Sequence, residues 1–386
     1  MNKSSTIKFG DICREIKITT KNPAADGYER YIGLEHLDSE SLKIRRWGLI
    51  SEDNPGFSRA FKKGNILFGK RRPYLKKSAI AEFDGICSGD IIVMEPYGDY
   101  LPHGLIPFIT QSKKFWDWAI KTSSGSLSPR TKFKNLAEFE ISKHDQDSYN
   151  SKLAVLQACQ ALIEEKYDVE QCFKRYVKAV IERRLSDMDG DELSFQELLD
   201  SGDIIDIQDG NHGGDHPKAS EYVESGVPFV MASDLNSGIV DLKRCKKLPK
   251  SRTDSLRIGF SKPGDILLSH KGTVGLVAVT PEVEDYVMLT PQVTYYRVAP
   301  EGRLKARYLE ILFRTERFQK MLASLAAQST RDYVGITAQK KMHILVAKKE
   351  KQDELICLWE QLQAFGCRLA ENRDATKKIY ESLMNG

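Results

Sequence analysis

Between positions 62 and 77 the chain carries Lys62, Lys63, Lys70, Arg71, Arg72, Lys76 and Lys77, with Tyr74 among them and no acidic residue. Solvated charged faces usually mix signs, and this stretch does not. Lysine and arginine at this density suit an anionic polymer. Either can pair with phosphates, and the arginine fork also matches a guanine edge. A second cationic run, Lys243, Arg244, Lys246, Lys247, Lys250 and Arg252, precedes Ser269-His270-Lys271-Gly272-Thr273. Both stretches place Lys, Arg or His just after a G-[ND]-I-L segment, as Lys70-Arg71-Arg72 and as His270-Lys271. These segments, Gly64-Asn65-Ile66-Leu67 and Gly264-Asp265-Ile266-Leu267, are related by a shift of 200 positions.

Other chemistry is weaker. Asp209, His212, Asp215 and His216 are metal-ligand types, but glycines lie between them, helical i, i+4 spacing is missing and no cysteine is near. The reading is a loop that approaches a ligand closely, with no metal. The chain has no G-x-G and no G-x-x-x-x-G-K-[ST], so no nucleotide, methyl-donor or other cofactor site is expected. Asp53-Asn54-Pro55-Gly56-Phe57 is read as a turn and not as a methyltransferase loop. No catalytic constellation emerges.

The elements that must position the two basic sets repeat. Phe9-Gly-Asp-Ile-Cys13 stands against Phe195-Gln-Glu-Leu-Leu199, and Tyr31-Ile32 against Phe229-Val230. Phe115, Phe133, Phe139 and Ile141 match Phe318, Ile336, Met342 and Ile344 at a shift of 203. Shifts that grow slowly and in one direction are those of loop insertions in a duplicated unit. Strands are expected at 66–68, 91–94, 266–268 and 293–296, and helices at 115–121 and 306–327.

One long helix is expected over 148–185, where neither Gly nor Pro interrupts apolar residues at helical spacing. Leu153, Leu156, Ile163, Tyr167, Val177 and Ile181 form its seam. Val155, Cys159, Leu162, Val169, Phe173, Tyr176 and Val180 form a second stripe that widens the apolar face. The C-terminal stretch repeats the pattern in heptads, with Leu355, Leu358, Leu362, Phe365, Leu369, Ile379 and Leu383 as its seam. The two helices are expected to pack on each other as a rod that holds two similar domains apart. The domains are thus a first globular unit over 1–147, a long helix over 148–185, a second globular unit over 186–350 and a second long helix over 351–386. The class is α+β with a pseudo-twofold internal repeat: two similar globular domains separated by two long antiparallel helices packed as a coiled coil.

Composition agrees with a globular, two-domain chain: 386 residues, 41% hydrophobic and 29% charged, with a net charge of +4. So small a net charge means that affinity for nucleic acid must come from local clusters. No apolar run reaches membrane-span length, so a cytoplasmic protein is expected. Cys13, Cys87, Cys159, Cys172, Cys245, Cys357 and Cys367 form no C-x-x-C pair and are expected to be reduced and mostly buried.

The order of unit and long helix repeated twice, the two G-[ND]-I-L-[FL] strands with Gly69-Lys-Arg-Arg-Pro-Tyr74 and Ser269-His-Lys-Gly-Thr273 after them, the Asp209-Gly-Asn-His212 loop, and the Ser-Arg runs 126–130 and 329–331 resemble the specificity subunit of type I restriction-modification systems. The resemblance spans nearly the whole chain. It implies that each unit is a target recognition domain reading one half of a bipartite site on double-stranded DNA, and that the helix pair sets the spacer. It further implies docking of modification (methyltransferase) subunits and of restriction (translocase-nuclease) subunits. Contacts to DNA would then come from the basic stretch 62–77 and from Ser128, Arg130, Asn211, His212, His216, Lys218, Ser269, His270, Lys271, Thr273, Ser329, Thr330 and Arg331. The first unit departs from the second in lacking the D-G-x-H loop. The competing readings are a protein-binding coiled-coil adaptor and an unrecognised DNA-modifying enzyme.

Overall fold

A computed structural model describes residues 6–142, 146–213, 216–235, 238–327 and 332–385. The chain forms two compact units, one of residues 1–169 with 369–386 and the other of residues 170–368. The central helix Gln146–Ser186 and the C-terminal helix Lys349–Asn385 each contribute to both.

Strand for strand, the two units repeat one topology. In the first, a four-stranded antiparallel sheet runs in the order Cys13–Ile16, Ile91–Pro96, Ile66–Gly69, Ser78–Ile80. In the second the order is Ile204–Asp209, Val293–Val298, Ile266–Ser269, Val277–Val279. Each unit has another four-stranded sheet: Gly48–Leu49, Arg30–Ile32, Gly85–Cys87, Arg59–Phe61 in the first, and Lys246–Leu248, Val227–Val230, Val287–Leu289, Phe260–Ser261 in the second. In both, the middle pair is parallel and the outer pairs antiparallel. A strand pair completes each unit, Thr6–Lys8 with Glu140–Ser142 and Gly190–Ser194 with His343–Ala347. All four strands expected from sequence lie within observed ones.

The helix expected over 306–327 is two, Ala306–Arg314 and Glu316–Ala327. Thr315 explains the break: its hydroxyl donates to Leu312 O at 2.6 Å and accepts from Phe318 N at 3.3 Å, so it caps a new helix. Ser112 does the same in the first unit, donating to Ile109 O and accepting from Phe115 N.

The long helices enter the cores of both units. In the first unit Leu156 and Tyr380 are buried with Phe9, Phe68, Phe115 and Trp116, and the Tyr380 ring meets Phe108 edge-on. Lys166 Nζ reaches Asn372 Oδ1 at 2.5 Å and Thr376 Oγ1 at 2.6 Å. Sequence therefore rises along one helix as it falls along the other, which makes the pair antiparallel. In the second unit Val177, Ile181 and Leu355 are buried with Phe195, Tyr296 and Phe313, and Leu358 and Leu362 pack against the same core. There Phe173 and Phe365 meet with ring centroids 5.0 Å apart.

The seam differs from strict heptads at its C-terminal end. Leu369 is half-buried and Phe365 keeps 45% exposure despite its ring contact. Ile379 and Leu383 are exposed, and Thr376 and Tyr380 are buried in their place. A 3.6-residue period drifts about 20° per heptad against a 3.5-residue frame, enough to carry the buried line to the neighbouring positions. Leu153, Ile163 and Tyr167 are half-buried; the first two pack against the first core, and the Arg45 guanidinium lies 4.3 Å over the Tyr167 ring.

The second stripe is corrected more strongly. Val155, Leu162, Val169 and Tyr176 are exposed, so these residues do not widen the packed face. The cysteine expectation also changes. All seven are free, but Cys172, Cys357 and Cys367 on the long helices are exposed, and only Cys13, Cys87 and Cys245 are buried. Burial pushes each of these three thiols up to about 12. Among the described residues no helix is long and apolar enough to cross a membrane.

Candidate nucleic-acid interface

One backbone frame presents the basic residues in each unit. In the first, strand Ile66–Gly69 continues into Lys70-Arg71-Arg72, which runs antiparallel to 129–131: Thr131 N donates to Lys70 O at 2.9 Å, Arg71 bridges Arg130, and Arg72 N donates to Pro129 O at 2.7 Å. In the second, Val334 N donates to His270 O at 2.9 Å, Lys271 bridges Tyr333, and Gly272 N donates to Asp332 O at 3.0 Å. Every one of these positions corresponds at the shifts of 200 and 203 read from the sequence. In the first unit this backbone pairing joins the residues that follow the G-[ND]-I-L segment to the Ser-Arg run 126–130, about sixty residues away in the chain.

Side chains then divide the basic stretch. Arg71 Nε donates to Ser128 Oγ at 2.8 Å and Arg72 Nε to the same oxygen at 3.3 Å. Asp90 faces Arg130 at 3.0 Å and Arg71 at 3.4 Å. Burial alone would raise the Asp90 carboxyl, but Arg130 and Arg71 together hold it below the usual range. Burial, reinforced by Arg59, lowers Lys70.

The rest of the stretch lies with other partners. Lys62 pairs with Asp84 at 2.8 Å, and the Lys63 backbone N donates to Asp84 as well. Lys76 pairs with Glu40 at 2.9 Å, and Lys77 donates to Leu34 O at 2.7 Å. Tyr74 is 49% exposed. Lys70, Arg71, Arg72, Ser128 and Arg130 are therefore one cluster, and the other four lysines are not part of it. Arg72 has φ of +53° where its counterpart Gly272 has +78°. Arginine there occupies a backbone conformation that glycine adopts without cost.

In the second unit several expected contacts face inward. Ser269 is fully buried, and its hydroxyl accepts from Leu276 N at 2.8 Å. Asn211 is 4% exposed, and its amide joins Ile258 O at 2.6 Å and Arg257 N at 3.4 Å. His270 is fully buried, with Nδ1 3.0 Å from Val334 O and Nε2 3.7 Å from Asp209 Oδ2. Burial lowers its pKa against the pull of Asp209, which keeps the ring neutral. These three residues build the loops, and surface contact is excluded for them because their polar atoms are turned into the protein. His216 is half-buried beside Phe229.

What remains exposed is His212, Lys218, Lys271 and Thr273. His212 Nε2 donates to Asp209 Oδ2 at 2.7 Å, and Lys271 Nζ lies 5.9 Å over the Tyr333 ring. Ser329, Thr330 and Arg331, like Asp215, lie outside the described residues. Among the described residues no group of His, Cys, Asp or Glu could hold a metal ion. Sequence reasoning missed Asp90 and Tyr333. Asp90 had a signal, since Gly89-Asp90 precedes its strand as Pro291-Gln292 precedes the matching one.

This fold is that of type I restriction-modification specificity subunits. A chain from a structure concerning complex assembly and conformational transition of the type I R-M system matches with TM-score 0.54 and 17% identity, over 98% of this chain and 96% of that one. The S subunit of a type I restriction-modification system from M. genitalium matches with TM-score 0.51 and 11% identity, over 100% of this chain and 96% of that one. In sequence, the specificity subunit of the type I restriction enzyme EcoDI from Escherichia coli is 29% identical over 141 residues, 36% of this chain. That match spans 31% of the relative's length. No family model matches the chain.

Proposed function

We propose that this chain is the non-catalytic, sequence-specific DNA-binding subunit of a cytoplasmic type I restriction-modification complex, each unit reading one half of a bipartite duplex site. The observation that carries the reading is the duplicated frame, in which one backbone pairing sets Arg71 beside Arg130 in one unit and Lys271 beside Tyr333 in the other. Two related surfaces with Arg, Lys and aromatic groups suit phosphate contacts that set register, with base edges read beside them. The partners are modification subunits, which supply the methyl-donor site, and restriction subunits. Val155, Leu162 and Val169 support the scaffold role. They recur every seven residues along the exposed side of the central helix in the first unit, the spacing with which a partner helix packs.

Gel shifts of duplex DNA at rising salt test the reading. Affinity should fall steeply, with a log–log slope of roughly −0.9 per neutralised phosphate. A chain that binds modification subunits but no duplex at low salt is an adaptor instead, and methylation or cleavage by the purified chain alone makes it an enzyme.

A further inference from the structure

The loop that follows strand Ile204–Asp209 is built around one carboxylate. Asp209 is 5% exposed, and its Oδ2 takes a hydrogen bond from His212 Nε2 at 2.7 Å. An aspartate carboxylate is an acceptor only, so in neutral His212 the ring proton sits on Nε2 and Nδ1 keeps its lone pair. Nδ1 has no hydrogen-bond partner among the described residues, and the side chain is 48% exposed.

The surroundings hold this arrangement in place. Gly210 lies so close to the Leu289 carbonyl that a Cβ would stand 1.9 Å from its oxygen, which pins the loop backbone. Asn211 is tied at both ends of its amide. His270 does not compete for Asp209. Its Nδ1 faces the Val334 carbonyl, which fixes the proton there, and its Nε2 has no hydrogen-bond partner among the described residues and stands 3.7 Å from the carboxylate.

Resting on the DNA-recognition reading above, we propose that His212 is a specificity-determining residue of the second unit and Asp209 its positioning residue, so that Nδ1 accepts a hydrogen bond from the exocyclic amino group of adenine or cytosine. In the major groove these bases present N6 and N4 amino donors, whereas guanine and thymine present oxygen acceptors that repel a lone pair. The carboxylate acts through the ring, by choosing which nitrogen holds the proton.

The test selects a randomised duplex library on the purified chain and sequences what is retained. Wild type should enrich a split motif, with adenine or cytosine at a position of one half that His212→Ala flattens by about tenfold, the lower part of the range for a lost base contact. Asp209→Asn, whose carboxamide can donate to Nε2 and move the ring proton to Nδ1, should cut the preference for adenine or cytosine at that position by about tenfold or shift it toward guanine or thymine. The double variant should be no worse than His212→Ala. His212 is half exposed, so His212→Ala should fold normally even if Asp209→Asn does not. A split motif unchanged in both folded variants overturns this assignment and leaves the DNA-recognition reading standing. No motif from wild type overturns that reading, and the assignment with it.

Discussion

Arg71 and Arg130 stand opposite each other across an isolated antiparallel bridge and share the carboxylate of Asp90, at 3.4 Å and 3.0 Å respectively. A pair of like charges is thereby held at one place by a single anion. The carboxylate neutralises part of the cluster and leaves an excess of positive charge for a ligand.

Because both arginines hold the Asp90 carboxyl low, its contribution to stability is present above the unfolded value of about 3.9 and is lost as pH falls through the lower folded value. The groups are partly exposed, so the contribution is about 0.5–1 kcal/mol after screening. Asp90→Asn should unfold at a slightly lower temperature than wild type near pH 7, and the difference should shrink in acid, at a pH below the ordinary carboxylate range. Thermal unfolding at both pH values checks this.

Arg72→Gly removes a non-glycine residue from φ of +53°, relieving roughly 1 kcal/mol of backbone strain at some cost in unfolded-chain entropy. Urea unfolding should show stability within about 1 kcal/mol of wild type in either direction. Duplex affinity should fall in gel shifts of the same protein. Unchanged affinity would remove Arg72 from the interface.

Replacing Arg71 and Arg72 together with Ala should weaken duplex binding, and a base-reading arginine should relax only the half-site of the first unit, at about 1–3 kcal/mol per lost bidentate contact. Library selection reads this directly. Equal loss on all sequences would assign both residues to phosphates.

Leu156→Ala and Leu355→Ala each empty a site that is 1% exposed, and each should cost about 2–5 kcal/mol in denaturant unfolding. Ile379→Ala, at 60% exposure, should change stability by less than about 0.5 kcal/mol. An equal cost at Ile379 would restore the strict heptad seam.

Changing Val155, Leu162 and Val169 together to Ser should leave duplex affinity intact and abolish co-purification with modification subunits. Retained co-purification would place their docking surface elsewhere.

The sequence by itself determined the repeat. Gly64 and Gly264, Phe115 and Phe318, and Phe139 and Met342 sit at matched places in matched topologies, because core residues and tight turns are set by local pattern and leave a periodic trace. It also determined the two long helices, whose uninterrupted apolar spacing is a local property. The tertiary structure alone decided which cations remain available. Lys62, Lys76 and Lys77 are engaged by Asp84, Glu40 and the Leu34 carbonyl, and Ser269, His270 and Asn211 are turned inward. Charge pairing and burial depend on groups far along the chain that reach a side chain only once the sheets have formed. Composition therefore named the residue types, and the fold selected Arg71, Arg72, Arg130 and His212 from among them.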